Sequence, residues 1–244
     1  INNAFGYLAL QTNTTGNYNV AIGTSALQSN TTGINNTSVG MFALTNNATG
    51  SNNTAVGFCA LKLSTSHTST AFGSHSLKSA TVGYNSASGA YSLQCTTTGT
   101  RNVAHGPYTI RVNTTGCDNT AIGYQALIAS TTANYNTAVG ACTLDANTTG
   151  NQNVAIGDRA LTASTTSSYN VAVGPLALYA NTTGCRNTAI GAYALKLNTT
   201  GCRNTASGFY AMFSTTSGSY NTASGYRALT DNTTGSRNTA SGYK

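Results

Sequence analysis

A short motif, made of a small residue, an apolar residue and a glycine, returns about every seventeen residues from Gly6 to Gly242. The spacing shortens to sixteen only at the two steps that end at Gly73 and Gly89. Self-similarity at a fixed period is typical of chains that stack one supersecondary unit along an axis, each unit covering its neighbours. The period therefore predicts a solenoid, with residues 1–244 forming a single repeat array.

Two other positions of the repeat are nearly constant. An aliphatic residue stands four positions after each glycine, and we expect this column to form a core ladder of Leu10, Leu27, Leu44, Leu61, Leu77, Leu93, Ile110, Leu127, Leu144, Leu161, Leu178, Leu195, Met212 and Leu229. An asparagine stands four positions before the glycine, and stacked asparagines can hydrogen-bond their copies one coil away. The predicted asparagine ladder comprises Asn19, Asn36, Asn53, Asn102, Asn119, Asn136, Asn153, Asn170, Asn187, Asn204, Asn221 and Asn238.

Each repeat is interpreted as two strands joined by a turn and closed by a return loop. In one unit the first strand is expected over residues 119–122, the turn at Gly123 and the second strand over residues 124–128. The apolar residue before the glycine, Ile122 in this unit, is expected to point inward beside the leucine column. The fold class predicted is all-β, a parallel β-solenoid or β-roll of about fourteen 17-residue coils.

The return loop has the form NTTG in half of the repeats. Its glycine, as at Gly16 or Gly33, is expected to supply the positive φ that a tight reversal needs. The Asn-x-Thr triplets also match the N-glycosylation sequon, for example at Asn30 and Asn181. Because asparagine and threonine can hydrogen-bond the turn backbone, we favour a structural reason for their recurrence.

Apolar residues are too sparse for a wide core, since hydrophobic residues make up 39% of the chain and charged residues 6%. Burying one leucine stabilises by roughly 1.5 to 3 kcal/mol, whereas ordering each residue costs on the order of 1 to 2 kcal/mol. A lone coil of this composition is therefore hard to stabilise. We expect a parallel homotrimeric fibre in preference to a monomeric solenoid.

Units such as NTAIGYQAL at 119–127 and NTTGCRNTAIGAYAL at 181–195 resemble the repeats of phage and bacterial tail-fibre proteins. More distantly, they are similar to the head of trimeric autotransporter adhesins, whose shorter repeats read SVAIG and lack the NTTG insertion. The resemblance covers essentially the whole chain. It implies a trimeric β-roll shaft or head, projecting from a virion or a cell and taking part in attachment.

We therefore expect a structural fibre protein of a phage tail or microbial surface, projecting or forming a host-binding or receptor-binding site. Its expected location is the virion tail, the cell surface or the extracellular space. Because the chain stops in mid-repeat at Lys244, we expect it to be a fragment of a longer protein. The alternative is a monomeric binding solenoid that recognises carbohydrate or ice.

Enzymatic chemistry is disfavoured, because the few carboxylates and histidines show no pairing at catalytic or metal-ligand spacing. We expect no catalytic residues, no metal and no cofactor. His105 takes the position before the glycine and is interpreted as a substitution on the inner face, the alternative being that three copies around a trimer axis bind a metal or an anion. Scattered basic residues disfavour nucleic acid, and the absence of a long apolar run disfavours membrane insertion.

Two columns of the return loop carry candidate functional residues. Cys185 and Cys202 stand eleven residues after the glycine in consecutive coils, about 4.8 Å apart. They are a candidate disulfide, with free thiols as the alternative. The next column is expected to point outward and carries part of the net charge of +7. Its candidate contacts to anionic cell-surface polysaccharide, with ordinary solvation as the alternative, are Arg101, Arg186, Arg203, Arg237, Tyr135, Tyr169 and Tyr220.

Overall fold

The computed structural model describes residues 1–244, which form fifteen three-residue β-strands and no helix. The chain divides into two compact units, Ile1–Asn119 and Thr120–Lys244. The first contains β1 (Asn3–Phe5), β2 (Val20–Ile22), β3 (Thr37–Val39), β4 (Thr54–Val56), β5 (Thr70–Phe72), β6 (Ser86–Ser88) and β7 (Val103–His105). The second contains β8 (Thr120–Ile122), β9 (Thr137–Val139), β10 (Val154–Ile156), β11 (Val171–Val173), β12 (Thr188–Ile190), β13 (Thr205–Ser207), β14 (Thr222–Ser224) and β15 (Thr239–Ser241).

Within each unit the strands pair in parallel and in sequence order. Each residue faces its equivalent in the next repeat, as Ala21 faces Ser38 in the first unit and Ala138 faces Ala155 in the second. This register confirms the predicted all-β parallel solenoid of about fourteen turns. None of the chain's segments forms a membrane-spanning helix.

The interior of each coil is narrow. It contains the middle residue of the strand, usually alanine, and the residues three and four positions after the glycine, such as Ala26 and Leu27. Every member of the predicted core ladder is fully buried except Leu10 and Leu229, which lie in terminal coils and are half-buried. Ser38 replaces the strand alanine in β3, and its hydroxyl donates to the carbonyl of Ala43 at 2.9 Å. The two walls of a coil are therefore close enough to exclude bulky side chains between them.

The apolar residue before the glycine points outward, so the prediction of an inward site there is wrong. Ile22 is 42% exposed and Ile122 is 40% exposed, whereas the alanine before each of them is fully buried. Successive side chains of a strand point to opposite faces, and only one of these two residues can therefore face the interior. Alanine takes the interior position because the space opposite it is small. For the same reason His105, interpreted as an inner-face substitution, is exposed on the outer face.

The predicted second strand is also wrong, because the residues after the glycine form successive turns. Gln125 and Leu127 both have left-handed backbones, with φ of 57° and 53°. A strand cannot contain such residues, since extended backbone requires strongly negative φ. The segment still stacks on the next coil, because Leu127 N–H donates to the carbonyl of Thr143 at 3.0 Å and Ala129 N–H to that of Asp145 at 3.1 Å.

Positive φ was predicted for the wrong glycine of the repeat. The motif glycine has this conformation, with φ of 125° at Gly23, whereas Gly33 of the return loop does not. The loop needs glycine for space, since a Cβ at Gly33 would collide with the carbonyl oxygen of Gly50 and the side chain of Asn30. Close approach of backbone to neighbouring groups is a separate reason for glycine.

The core ladder can be tested with two leucines of one repeat. Leu195 is fully buried and Leu197 is 38% exposed. We expect Leu195→Ala to lower the free energy of unfolding by about 2 to 5 kcal/mol, the usual range for a buried leucine that leaves a cavity. Leu197→Ala, measured by the same denaturant titration, should lower it by less than about 1 kcal/mol. Equal effects would contradict the burial of the leucine column.

Candidate functional site

The asparagines of the predicted ladder are joined by hydrogen bonds from coil to coil. The side-chain oxygen of Asn36 accepts both the backbone N–H of Asn53 at 3.0 Å and its side-chain amide at 3.2 Å. The amide of Asn36 donates to the carbonyl of Gly50 at 2.9 Å. All twelve predicted members are buried except Asn238, which is half-buried. The desolvation cost of a buried amide is offset only when the amide is hydrogen-bonded, and these side chains are.

The ladder is interrupted where serine replaces asparagine. Ser69 N–H still donates to the Asn53 side-chain oxygen at 3.0 Å. Its own hydroxyl is buried without a hydrogen-bond partner, so it gives nothing to the following coil. Ser69 lies in the first of the two shortened repeats, which end at Gly73 and Gly89.

A second asparagine column lies inside the return loop, at the first residue of NTTG. Asn30 and Asn181 are fully buried. Their side-chain amides donate to the carbonyls of Gly33 and Gly184, at 3.1 Å and 2.9 Å. Because this nitrogen is the atom that N-glycosylation would modify, the folded coil does not present it. The recurrence of the triplet is thus explained by the loop geometry.

The sequence also carries a pairing of loop residues that our sequence analysis missed. Where the loop glycine is replaced by Ala133 or Ser167, the preceding asparagine is replaced by Ser130 or Ser164. The Ser164 and Ser167 hydroxyls are hydrogen-bonded at 2.5 Å. A Cβ in the loop leaves no room for asparagine, and the smaller serine relieves the collision. Covariation between these columns was the available signal.

The column of Cys185 and Cys202 supplies an acceptor to the backbone of the preceding coil. Cys185 N–H donates to Cys202 Sγ at 3.1 Å, Cys202 N–H to Ser219 Oγ at 3.0 Å, and Asn151 N–H to Ser168 Oγ at 2.9 Å. Cysteine therefore takes a place that serine and asparagine take elsewhere. Sequence reasoning found the cysteine register but not this common role.

Both thiols of the candidate disulfide are free in the structure, with 3.1 Å between their sulfur atoms. Both side chains are half-buried, and burial raises the pKa of the Cys202 thiol above its ordinary value. Thiolate is the reactive form in disulfide exchange, so the raised pKa of Cys202 disfavours attack by this thiol at neutral pH.

The outward side chains of the strands form one face in each unit, which we call the sheet face. It consists of the first and third residue of every strand, and no lysine, arginine, aspartate or glutamate occurs in it. Its isoleucine and phenylalanine members are at least 40% exposed, for example Phe72 at 45% and Ile190 at 46%. Contiguous exposed apolar surface of this kind marks interaction sites in soluble proteins.

The predicted arginine and tyrosine column lies on the surface of both units. In the first unit, Arg101 Nε donates to Asp118 at 2.6 Å and Arg101 Nη2 at 2.8 Å, and this hydrogen bonding lowers the pKa of the Asp118 carboxyl. In the second unit, Tyr135, Tyr169, Arg186, Arg203, Tyr220 and Arg237 are all exposed.

Aromatic side chains two residues after the glycine also stack along the coils, which sequence reasoning did not identify. The rings of His75, Tyr91 and Tyr108 lie parallel, with centroids 5.1 Å and 5.2 Å apart. Burial in this stack, together with the charges of Lys78 and Lys62, lowers the pKa of His75. Because ring faces cover one another, few of them remain open to a flat ligand.

No pocket is present, and no three histidine, cysteine, aspartate or glutamate side chains come together as metal ligands. Comparison with protein-family models, with curated proteins and with solved structures found no match. The features available for function are therefore the sheet face, the arginine and tyrosine column and the cysteine pair.

We expect Asn36→Ala to be strongly destabilising, although it removes no large side chain. It leaves the buried Asn53 N–H without its acceptor, and an unsatisfied buried group costs about 1 to 3 kcal/mol. The matched control is Asn46→Ala, because Asn46 is exposed. Thermal unfolding followed by circular dichroism measures both, and similar melting temperatures would contradict the ladder's role.

Oxidation by glutathione disulfide should link Cys185 to Cys202, each glutathione disulfide being reduced to two glutathiones as one protein disulfide forms. Since the Cys202 pKa is raised, the rate should increase from pH 7 to pH 9. The link should raise the free energy of unfolding by about 3 kcal/mol, because it lowers the entropy of the unfolded chain by closing the loop between Cys185 and Cys202. Peptide mapping by mass spectrometry identifies the link, with Cys202→Ser as control. Mixed disulfides with glutathione at both cysteines, without a link, would contradict it.

Proposed function

We propose that the chain is a structural fibre protein of a phage tail or microbial surface, assembled as a parallel homotrimer and projecting or forming an attachment site. The observation that carries this proposal is the sheet face, which in both units lacks charged residues and exposes large apolar side chains such as Phe72 and Ile190. The resemblance of the repeats to those of tail-fibre proteins supports the same assignment. A location on the virion tail or the outer cell surface belongs to this proposal.

A second copy of the same chain is the partner that best fits the sheet face. Most strands contribute one outward β-branched or small residue at their start and another at their end, as Val154 and Ile156 do. Equivalent outward residues of successive strands are separated by the distance between coils. A parallel copy has the same spacing, so every coil meets an equivalent coil, whereas an unrelated surface would fall out of register. Closed rotational symmetry then limits the number of copies.

The narrow interior gives an energetic reason for assembly. Each coil buries one large aliphatic side chain, such as Leu161, while a second, Ile156, stays 40% exposed. Burying apolar surface contributes about 25 cal/mol per Å², and contacts between copies would recover this contribution coil by coil. The absence of charge from the face means that no ion has to be desolvated in the process.

The mass of the native protein tests the assembly. Light scattering should give about three times the chain mass of 24.8 kDa. Ile190→Lys places a charge on the sheet face and should shift the mass towards that of one chain, since a buried unpaired charge costs several kcal/mol. Leu197→Lys is the matched control, because Leu197 is exposed outside the sheet face.

A wild-type mass of one chain at micromolar concentration would contradict the trimer. It would favour the alternative of a monomeric binding solenoid that recognises carbohydrate or ice. If the Leu197→Lys variant lost assembly as the Ile190→Lys variant does, the proposal would also be contradicted, because assembly would then not depend on the sheet face. Circular dichroism confirms that each variant retains its β-structure before its mass is measured.

A further inference from the structure

Five consecutive coils of the second unit carry exposed tyrosine and arginine side chains in the column twelve residues after the motif glycine. We call this the arginine stripe; its members are Tyr169, Arg186, Arg203, Tyr220 and Arg237. Their backbone N–H groups are bonded to carbonyls one coil away, as Arg203 N–H is to Cys185 at 3.0 Å. The solenoid backbone thus fixes the spacing of the stripe, about 4.8 Å per coil.

Neighbouring side chains of the stripe hold the guanidinium groups in place. Arg186 lies over the ring of Tyr169, with 5.1 Å between the guanidinium carbon and the ring centroid. Arg203 lies over Tyr220 at the same distance and donates to its hydroxyl at 2.5 Å, and Arg237 lies over Tyr220 at 5.9 Å. Such cation–π contacts restrict arginine without neutralising its charge. A ligand therefore meets charges that are already ordered.

The first unit contains an arginine–carboxylate pair that the stripe lacks. In the same column Arg101 is paired with Asp118 of the next coil, through two hydrogen bonds from the guanidinium to the carboxylate. The three arginines of the stripe form no ion pair with a carboxylate. The carboxylates of the second unit, such as Asp145 and Asp158, stand in other columns of the repeat. Asp118 thus shows how a carboxylate binds an arginine of this column, whereas in the stripe the place after Arg186 holds Arg203 and the place after Arg203 holds Tyr220, neither of which supplies a negative charge.

We propose that the arginine stripe binds a linear acidic polysaccharide through its carboxylates. This inference names the partner of the attachment function proposed above and rests on it. Guanidinium groups bind planar carboxylates through two parallel hydrogen bonds, and a single polymer strand running along the coils meets them in succession. The exposed hydroxyls of Thr166, Thr183 and Thr200, three residues before the stripe in their coils, suit the hydroxyls of sugars. A nucleic acid duplex is less suitable, because the stripe is one side chain wide and duplex binding neutralises many phosphates at once.

The test compares two triple variants of equal net charge. Arg186→Gln, Arg203→Gln and Arg237→Gln remove the charges of the stripe, while Lys62→Gln, Lys78→Gln and Lys196→Gln remove three charges elsewhere. Titration calorimetry with polygalacturonate should show binding by the wild type that weakens with added salt. The stripe variant should bind at least about tenfold more weakly, and the lysine variant should stay within about twofold of wild type.

Several outcomes would overturn the proposal. Equal weakening in both triple variants would show that only net charge matters. Undetectable binding of polygalacturonate, or equally tight binding of neutral dextran, would exclude an acidic polysaccharide as the ligand. Tighter binding of duplex DNA than of polygalacturonate would instead identify nucleic acid as the ligand. Light scattering on the same samples separates this inference from the trimer, because polysaccharide affinity and assembly mass are read independently. Unchanged melting temperatures confirm that the variants are folded.

Discussion

The structure depends on hydrogen bonds between asparagine side chains buried at the same place in consecutive coils. The side-chain oxygen of these asparagines accepts a backbone N–H of the next coil, as that of Asn170 accepts the N–H of Asn187 at 3.0 Å. Each also gives its amide hydrogens to a loop carbonyl, as Asn170 does to Gly184 at 3.0 Å. A shift of one residue between coils would leave all these groups unbonded in an interior without water. The ladder therefore fixes the register that the short strands alone could not.

A polar ladder of this kind is possible because the coil is narrow. One leucine and two alanines are the apolar content of a typical interior, as with Leu178, Ala177 and Ala172, so hydrophobic burial alone is a small term for each coil. The same narrowness places the larger β-branched residues on the sheet face. The narrow interior thus explains both the core and the proposed assembly surface. The inward position of the strand has room only for a small residue such as alanine, so the larger apolar residues of the strand face outward.

Much of the architecture follows from the period, since a constant residue every seventeen positions can only mark equivalent places in stacked coils. The direction of individual side chains does not follow as easily. Ile22 is more apolar than Ala21, yet Ala21 is inside, because the size of the available space decides and a sequence does not display it. Leu127 has positive φ, a rare conformation for leucine, so a sequence pattern gave no reason to replace the second strand with turns. The exchange of asparagine for serine beside Ala133 and Ser167 was readable, because it is a correlation within the repeat itself.

The backbone conformation of the arginine and tyrosine column separates folding from surface chemistry. Asn35, Asp118, Gln152, Tyr169 and Arg203 all take φ between 57° and 65° there. The coil therefore accepts amide, acid, aromatic and basic side chains at this position with the same backbone. Its hydrogen bonds come from main-chain N–H groups, so they do not depend on the residue present, as at Gln152 and Arg203. A column that accepts such different side chains on one backbone conformation can carry a neutralised pair in one unit and a row of unneutralised arginines in the other. The difference between the units is then chemical and not architectural.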